Sequence, residues 1–375
     1  MTMKTLRVLI AAFLCIMLQS QFAQAADAND FKIKRGTNLS HWFSQSGARG
    51  ERRAARVTEE DFERLKRFGF DHVRIPIDEE QFWDEQGNKL TEAWELLDAS
   101  LKLAHKHNLR VIVDLHIIRS FYFNAIHEGS TNTLFEDPKA QDRLIELWRE
   151  LSDALKGFGT DWLAYEFLNE PLADDPEQWN KLIAKVHKEL RKLEPERVLV
   201  IGSNMWQDVS TFKDLKIPEG DRNILLSFHY YQPLAVTHYR ASWDPIGKYR
   251  GNINYPGVVI PKDEYESIPD AEKETFRPFI KEWNRDVIRK EIKQAVDVAR
   301  KYDLPLFCGE WGVMSSVPRE PAYNLYKDMI SIFDEFGIGW TTWNYDSGFG
   351  FWNSRTKQIS DQPLLDILLS GKALE

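Results

Sequence analysis

Short apolar runs alternate along this chain with segments whose apolar residues recur every three or four positions, so strand period answers helix period almost from end to end. Ile33 to Asn38 predicts a first strand. Thr58 then opens a helix as its N-cap, with Glu59 and Glu60 at the positive end and Phe62, Leu65 and Phe68 along one face. Further strands are predicted at His72 to Ile77, Leu109 to His116, Ala164 to Glu170, Val198 to Gly202, Ile224 to Tyr231, Leu304 to Glu310 and Ile338 to Trp343. Helical spacing covers Glu92 to His107, Pro138 to Lys156, Pro176 to Leu193, Phe276 to Tyr302, Tyr323 to Phe336 and a last turn or two near Leu364 to Leu369. Read as eight strand–helix pairs, the alternation predicts an α/β chain folded as a single (β/α)8 TIM barrel.

The pattern is interrupted in informative places. Lys4 and Arg7 precede an apolar stretch from Val8 to Leu18, and Ala23-Gln24-Ala25 follows; this predicts a cleaved signal peptide over 1–25 and a catalytic barrel over 26–375. The apolar stretch is too short to span a bilayer, and Cys15 lacks the small residue before it that a lipid-anchoring site requires. With that leader gone Cys308 is the only cysteine, so no disulfide forms within one chain and the core must supply the stability. Ile117 to Asp137 and Gln232 to Asp270 show no regular period and are expected to wall a cleft. No repeat and no Ser/Thr/Pro-rich linker points to a separate binding module.

Charge changes the picture little: a net −9 with both signs interspersed predicts a soluble acidic surface and no nucleic-acid partner. The aromatic content changes it more. Of 13 Trp, 12 Tyr and 22 Phe, several tryptophans (Trp42, Trp206, Trp243, Trp352) stand in polar, loop-like surroundings. Flat rings in an open cleft stack on the apolar faces of sugars.

Candidate chemistry sits where the apolar runs stop. Arg74 closes in on the end of the second strand, Asp114-Leu115-His116 ends the third, Asn169-Glu170 the fourth, His229 and Tyr231 the sixth, Glu310 the seventh and Trp343-Asn344 the eighth. In a parallel barrel the carboxyl ends of the strands carry the active site, so these polar side chains converge on one rim. Two carboxylates facing one another there suffice to break a glycosidic bond.

Asn169-Glu170-Pro171 and Gly309-Glu310-Trp311-Gly312 resemble the motifs of glycoside hydrolase family 5, the cellulase-type family of retaining barrels. Arg35-Gly36-Thr37-Asn38-Leu39, Val73-Arg74-Ile75-Pro76, Asp114-Leu115-His116 and His229-Tyr230-Tyr231-Gln232-Pro233, with Thr237-His238 and Trp243 beyond, match in the same order over nearly the whole mature chain. The resemblance implies Glu170 as acid/base, Glu310 as nucleophile, no cofactor and no metal. It also implies that Arg74 and Tyr231 hydrogen-bond Glu310, that His229 steadies that network, and that Asn169 reads the sugar 2-hydroxyl. His116 and Trp343 would line the pocket of the sugar being cleaved, Trp343 as its floor, with Asn38 beside the site and Trp206, Trp42 and Trp243 at neighbouring subsites.

Asp114, two residues below His116, reads as structural, and Cys308 as an inert core residue on the face of Glu310. Two rivals remain: a metal-dependent barrel with His116, Glu170, His229 and Glu310 as ligands, and a catalytically silent sugar-binding barrel. The stretch from Tyr231 to Trp243, with Asn254-Tyr255-Pro256-Gly257 beyond it, is most similar to endoglucanases, so the expected substrate is a β-1,4-glucan. Mannan, xyloglucan, mixed-linkage or β-1,3-glucan, exo-attack and transglycosylation stay open. The expected protein is a monomer, secreted or periplasmic, with a β-linked oligo- or polysaccharide as its partner and no membrane attachment after signal cleavage.

Overall fold

The computed structural model describes residues 27–125 and 132–371, so the predicted signal peptide lies outside the described residues. Eight parallel strands close into a barrel: β1 (Arg35–Asn38), β2 (His72–Asp78), β3 (Arg110–Ile117), β4 (Leu163–Glu166), β5 (Val198–Gly202), β6 (Ile224–Tyr230), β7 (Leu306–Trp311) and β8 (Gly339–Thr342), with β8 pairing back to β1. The outer ring contains α1 (Glu59–Phe68), α2 (Thr91–Lys106), α3 (Pro138–Leu155), α4 (Pro176–Leu193), α5 (Arg285–Tyr302), α6 (Arg319–Phe336) and α7 (Gln362–Leu369). The (β/α)8 prediction holds.

Local chemistry explains the helix starts. Thr58 and Asp61 form a reciprocal capping box at α1, and Asp175 and Gln178 do the same at α4. Pro138 and Pro176 occupy first-turn positions, where the missing N–H costs nothing. The helix expected from Phe276 begins only at Arg285, where the Asn284 side chain accepts from the Val287 N–H. Between Gln232 and Asp270 the chain is not wholly irregular: short turns at Leu234–Thr237, Pro245–Lys248 and Lys262–Glu266 punctuate it, and Gly257–Val258 pairs with Glu282–Trp283.

One strand–helix pair is incomplete. Between β5 and β6 the chain makes only a short turn at Asn204–Gln207 and a 3-10 helix at Val209–Asp214. Met205, Trp206 and Gln207 all have positive φ, which no regular helix accommodates.

Two apolar layers hold the barrel. Inside, Ile112, Ala164, Val198, Val200, Leu225 and Phe307 close the amino-terminal end, packed by Ala28 and Phe31. Outside, the helices bury their apolar stripes against the opposite strand faces, with Cys308 in that layer. Cys308 therefore does not share the face of Glu310, as simple alternation predicts. The reason is a register shift. Phe228 lies opposite Cys308, but His229 lies opposite Glu310, so Gly309 is an extra residue in β7. The bulge resets the alternation and returns Glu310 to the interior rim.

Candidate active site

Glu310 ends its inward turn against a buried arginine. Arg74, on β2, donates from Nη1 to Glu310 Oε1 at 2.8 Å and to Asn38 Oδ1 at 3.0 Å. Its Nε and Nη2 form a bidentate pair with Glu166 at 2.7 and 3.1 Å. Nη2 also reaches Asn169 Oδ1 at 2.9 Å and Asp114 Oδ2 at 2.9 Å. The second oxygen of Glu310 accepts from the Tyr231 hydroxyl at 3.0 Å. Arg74 and Tyr231 thus hold Glu310 as the sequence predicts.

Glu170 departs from expectation in one respect: β4 ends at Glu166, and Glu170 stands beyond it in a bend with φ of 46°. The backbone from Phe167 to Asn169 still bonds to its neighbours, Phe167 N–H to Val200 O and Asn169 N–H to Leu115 O. The strained, left-handed conformation of a non-glycine residue then turns the carboxyl into the barrel mouth. His229 Nδ1 lies 2.8 Å from Glu170 Oε1 but 3.8 Å from Glu310 Oε2, so His229 steadies Glu170 rather than the Arg74–Tyr231–Glu310 network expected of it. A carboxyl oxygen of Glu170, one of Glu310 and a ring nitrogen of His229 all lie within 4.8 Å of one another.

Burial pushes the Glu170 carboxyl well above the usual range, and the Glu310 charge pushes it further. Burial also raises Glu310, but the Arg74 charge, His116 and the Tyr231 hydroxyl oppose that rise. Arg74 and Tyr231 both hydrogen-bond Glu310, so of the two buried carboxyls Glu170 is the better placed to carry a proton. Burial and the Arg74 charge hold His229 well below its ordinary value, so it is neutral. Its Nε2 has no partner, which assigns the proton to Nδ1, donating to Glu170 Oε1.

The remaining predicted residues divide into two groups. His116 Nδ1 bonds Asp114 Oδ2 at 2.6 Å, and burial lowers its pKa to about 3; Nε2 is left as an acceptor at the cleft. Its ring lies parallel to Trp343 at 5.6 Å, and Trp343 is half-buried. Asn169 gives its Oδ1 to Arg74 and keeps a buried, unpartnered Nδ2 free to reach a sugar hydroxyl.

Asn38 is corrected: it is fully buried, bonding Gly309 O and Thr342 O through Nδ2 and Arg74 through Oδ1, so it supports the site without facing substrate. Arg74, likewise fully buried, serves the carboxylates and not the sugar. Trp206 sits half-buried on the rim with Nε1 on Phe123 O at 3.2 Å. Trp42 is 0% exposed and donates to Arg53 O, and Trp352 lies under the Arg64 guanidinium, so both belong to the packing. Trp243 is 48% exposed at the end of a ring contact chain through His238 to Tyr231.

Sequence reasoning passed over Phe349 in that aromatic wall, His41 edge-on to Trp343, and Gln45 against His116 Nε2. It also missed Glu166. A charged residue inside the apolar run Leu163-Ala164-Tyr165-Glu166 signals a buried partner, so that signal was present.

Glu170, His229 and Glu310 converge closely enough to hold a cation, yet their donor set fits one poorly. Both Glu310 oxygens are already hydrogen-bonded, one by a permanently charged guanidinium that supplies the countercharge a metal would bring.

Gly309 is needed for more than the bulge. A Cβ there would stand 3.0 Å from both His229 Nε2 and Ser227 Oγ. Gly309→Ala is expected to displace His229, loosen its bond to Glu170 and lower kcat/KM about tenfold, with Tm falling by only a few degrees. Steady-state kinetics beside a thermal melt check it. Gly312 is similarly constrained, since a Cβ would meet the Trp343 carbonyl oxygen.

A closed parallel barrel with opposed carboxyls at its carboxyl-terminal rim, backed by a buried arginine and flanked by aromatic walls, defines a barrel glycoside hydrolase. The comparisons agree. The family described as "Cellulase (glycosyl hydrolase family 5)" matches residues 26–348, and the chain belongs to glycoside hydrolase family 5. It is 32% identical over 351 residues to Endoglucanase C of Acetivibrio thermocellus, covering 91% of this chain and 99% of that relative. It is 30% identical over 308 residues to Cellodextrinase A of Ruminococcus flavefaciens, covering 82% and 83% respectively. Among solved structures, a hyperthermophilic endo-β-1,4-glucanase in complex with substrate superposes with a TM-score of 0.71 at 27% identity, covering 92% of this chain and 99% of that one. The protein is a glycoside hydrolase acting on β-glucan.

Proposed function

We propose that the protein cleaves β-1,4-glucan internally by double displacement. The observation that carries this reading is the pair Glu170 and Glu310, with carboxyl oxygens within 4.8 Å and different hydrogen-bond partners, Arg74 and Tyr231 on Glu310 and His229 on Glu170. Retention needs carboxyls about 5–5.5 Å apart, whereas inversion needs roughly 6.5–9.5 Å to seat a water. Glu310 attacks the anomeric carbon as Glu170 gives its proton to the departing oxygen. Glu170 then takes a proton from the water that displaces the Glu310 ester, returning both carboxyls to their first state. Asn169 Nδ2 is free for the sugar 2-hydroxyl, and Trp343, His116, Trp206 and Trp243 offer rings and an acceptor along the cleft.

The names of the relatives, endoglucanases among them, support internal attack on a β-1,4-glucan. A relative named cellodextrinase favours a second reading, cleavage of short soluble cello-oligosaccharides. The mature chain is proposed to act as a secreted or periplasmic monomer; no helix among the described residues is long and apolar enough to cross a membrane.

The test is reducing-sugar release from barley β-glucan, carboxymethylcellulose, xyloglucan, β-mannan and cello-oligosaccharides, with NMR of the first product. A β-anomer from glucan, with a fast viscosity drop, is the expected result. An initial α-anomer would refute double displacement. Cleavage confined to mannan would refute the substrate while leaving the mechanism intact.

A further inference from the structure

Arg74 is surrounded by more acid than it can neutralise. Asp114, Glu166 and Glu310 all contact it directly, while Glu170 lies within reach of Glu310. The two N–H groups that form its fork, Nε and Nη2, do not go to Glu310. They go to Glu166, leaving the nucleophile a single Nη1 bond. Glu166 is fully buried, and its Oε1 also accepts from Gln207 Nε2 at 3.1 Å, while Gln207 Oε1 accepts from the Ser227 hydroxyl at 3.4 Å. Gln207 is delivered there by three consecutive left-handed residues, Met205, Trp206 and Gln207, a strained conformation that a structural connection would not need.

We propose that Glu166 is a positioning residue: by occupying the fork of Arg74 it limits that arginine to one bond with Glu310 and keeps the nucleophile reactive. A carboxylate clamped by both arms of a guanidinium is a stronger anion and a poorer nucleophile. The groups against Glu310 are Arg74 on β2, Asp114 and His116 on β3, Glu170 beyond β4, and His229 and Tyr231 on and after β6, while Glu166 reaches it through Arg74. Glu166 is the acid that takes the bidentate fork of Arg74. The inference rests on Glu310 being the nucleophile.

The experiment is Glu166→Gln, an isosteric loss of charge, with kcat, KM, the pH profile of kcat/KM and Tm measured on β-glucan. Removing a negative charge near Glu310 favours its ionised form, so the acidic limb should move to lower pH. kcat should fall about thirtyfold while KM stays within about twofold. Glu166→Asp, which keeps the charge, should restore the limb. If Glu166→Gln does not fold, Gln207→Ala decides, with the same signs at smaller size. An unmoved acidic limb, or wild-type kcat, overturns the proposal. Wild-type protein and Glu310→Ala run alongside. An inert wild type would sink the proposed function itself, whereas an active wild type with an indifferent Glu166 variant sinks only this inference.

Discussion

Glu310→Ala should lower kcat on β-glucan at least ~10⁴-fold, about 5.5 kcal/mol of lost transition-state stabilisation, while the protein stays folded. Alanine offers no atom to form the glycosyl ester, and the space it leaves is lined by Arg74, Tyr231 and His229, none of which can replace a carboxylate. Stability should hold or rise. Glu310 is buried among Asp114, Glu166 and Glu170, and removing one acid relieves both its desolvation and its repulsion of the rest. Arg74 keeps its bonds to Glu166, Asn38 and Asn169. A melt with Tm at or above wild type, beside absent turnover, is the expected pairing. Residual activity within about a hundredfold of wild type would mean that another group attacks the anomeric carbon.

Most of this site was legible because barrel chemistry gathers at strand ends, and strand ends can be read where apolar runs stop. Glu310, Arg74, His116, His229 and Tyr231 were found that way, and the structure brings them together. What failed was anything that depends on an extra residue or a positive φ. The bulge at Gly309 moved Cys308 to the helix side, since alternation counts residues and cannot see an insertion. The apolar run places Glu170 at a strand end, yet it lies past β4 in a left-handed bend that no apolar pattern encodes. Asn38 carries the right motif, but its amide is spent on two backbone carbonyls and Arg74, contacts between strands distant in sequence. Trp42 and Trp352 looked solvent-facing from polar neighbours, although each ring finds an arginine or a backbone acceptor inside the packing.

Glu170→Gln should separate the two steps of the reaction. On a polysaccharide the leaving group is a sugar alkoxide that must be protonated, so kcat should fall ~10³-fold or more. On a glycoside with a nitrophenolate leaving group, departure needs no acid, and the first step should survive nearly unchanged. The second step should not, because no group remains to take the proton from water. The glycosyl–Glu310 ester would then accumulate, seen as a burst of nitrophenol, a lowered KM and an added mass on the intact protein. The pH dependence follows from the same environment. Glu170 must carry a proton in the first step, and burial together with the Glu310 charge raises its pKa, so wild-type activity should fall as pH rises through that raised value. Once Glu310 is esterified its charge, the largest of those raising Glu170, is gone, so the Glu170 pKa drops just when the residue must act as a base. The glutamine variant has nothing to titrate there, so the basic limb shown by the wild type on β-glucan should be missing from the variant's residual activity on that polymer. A basic limb that persists unchanged would place the acid on another residue and leave Glu170 merely a neighbour of the nucleophile.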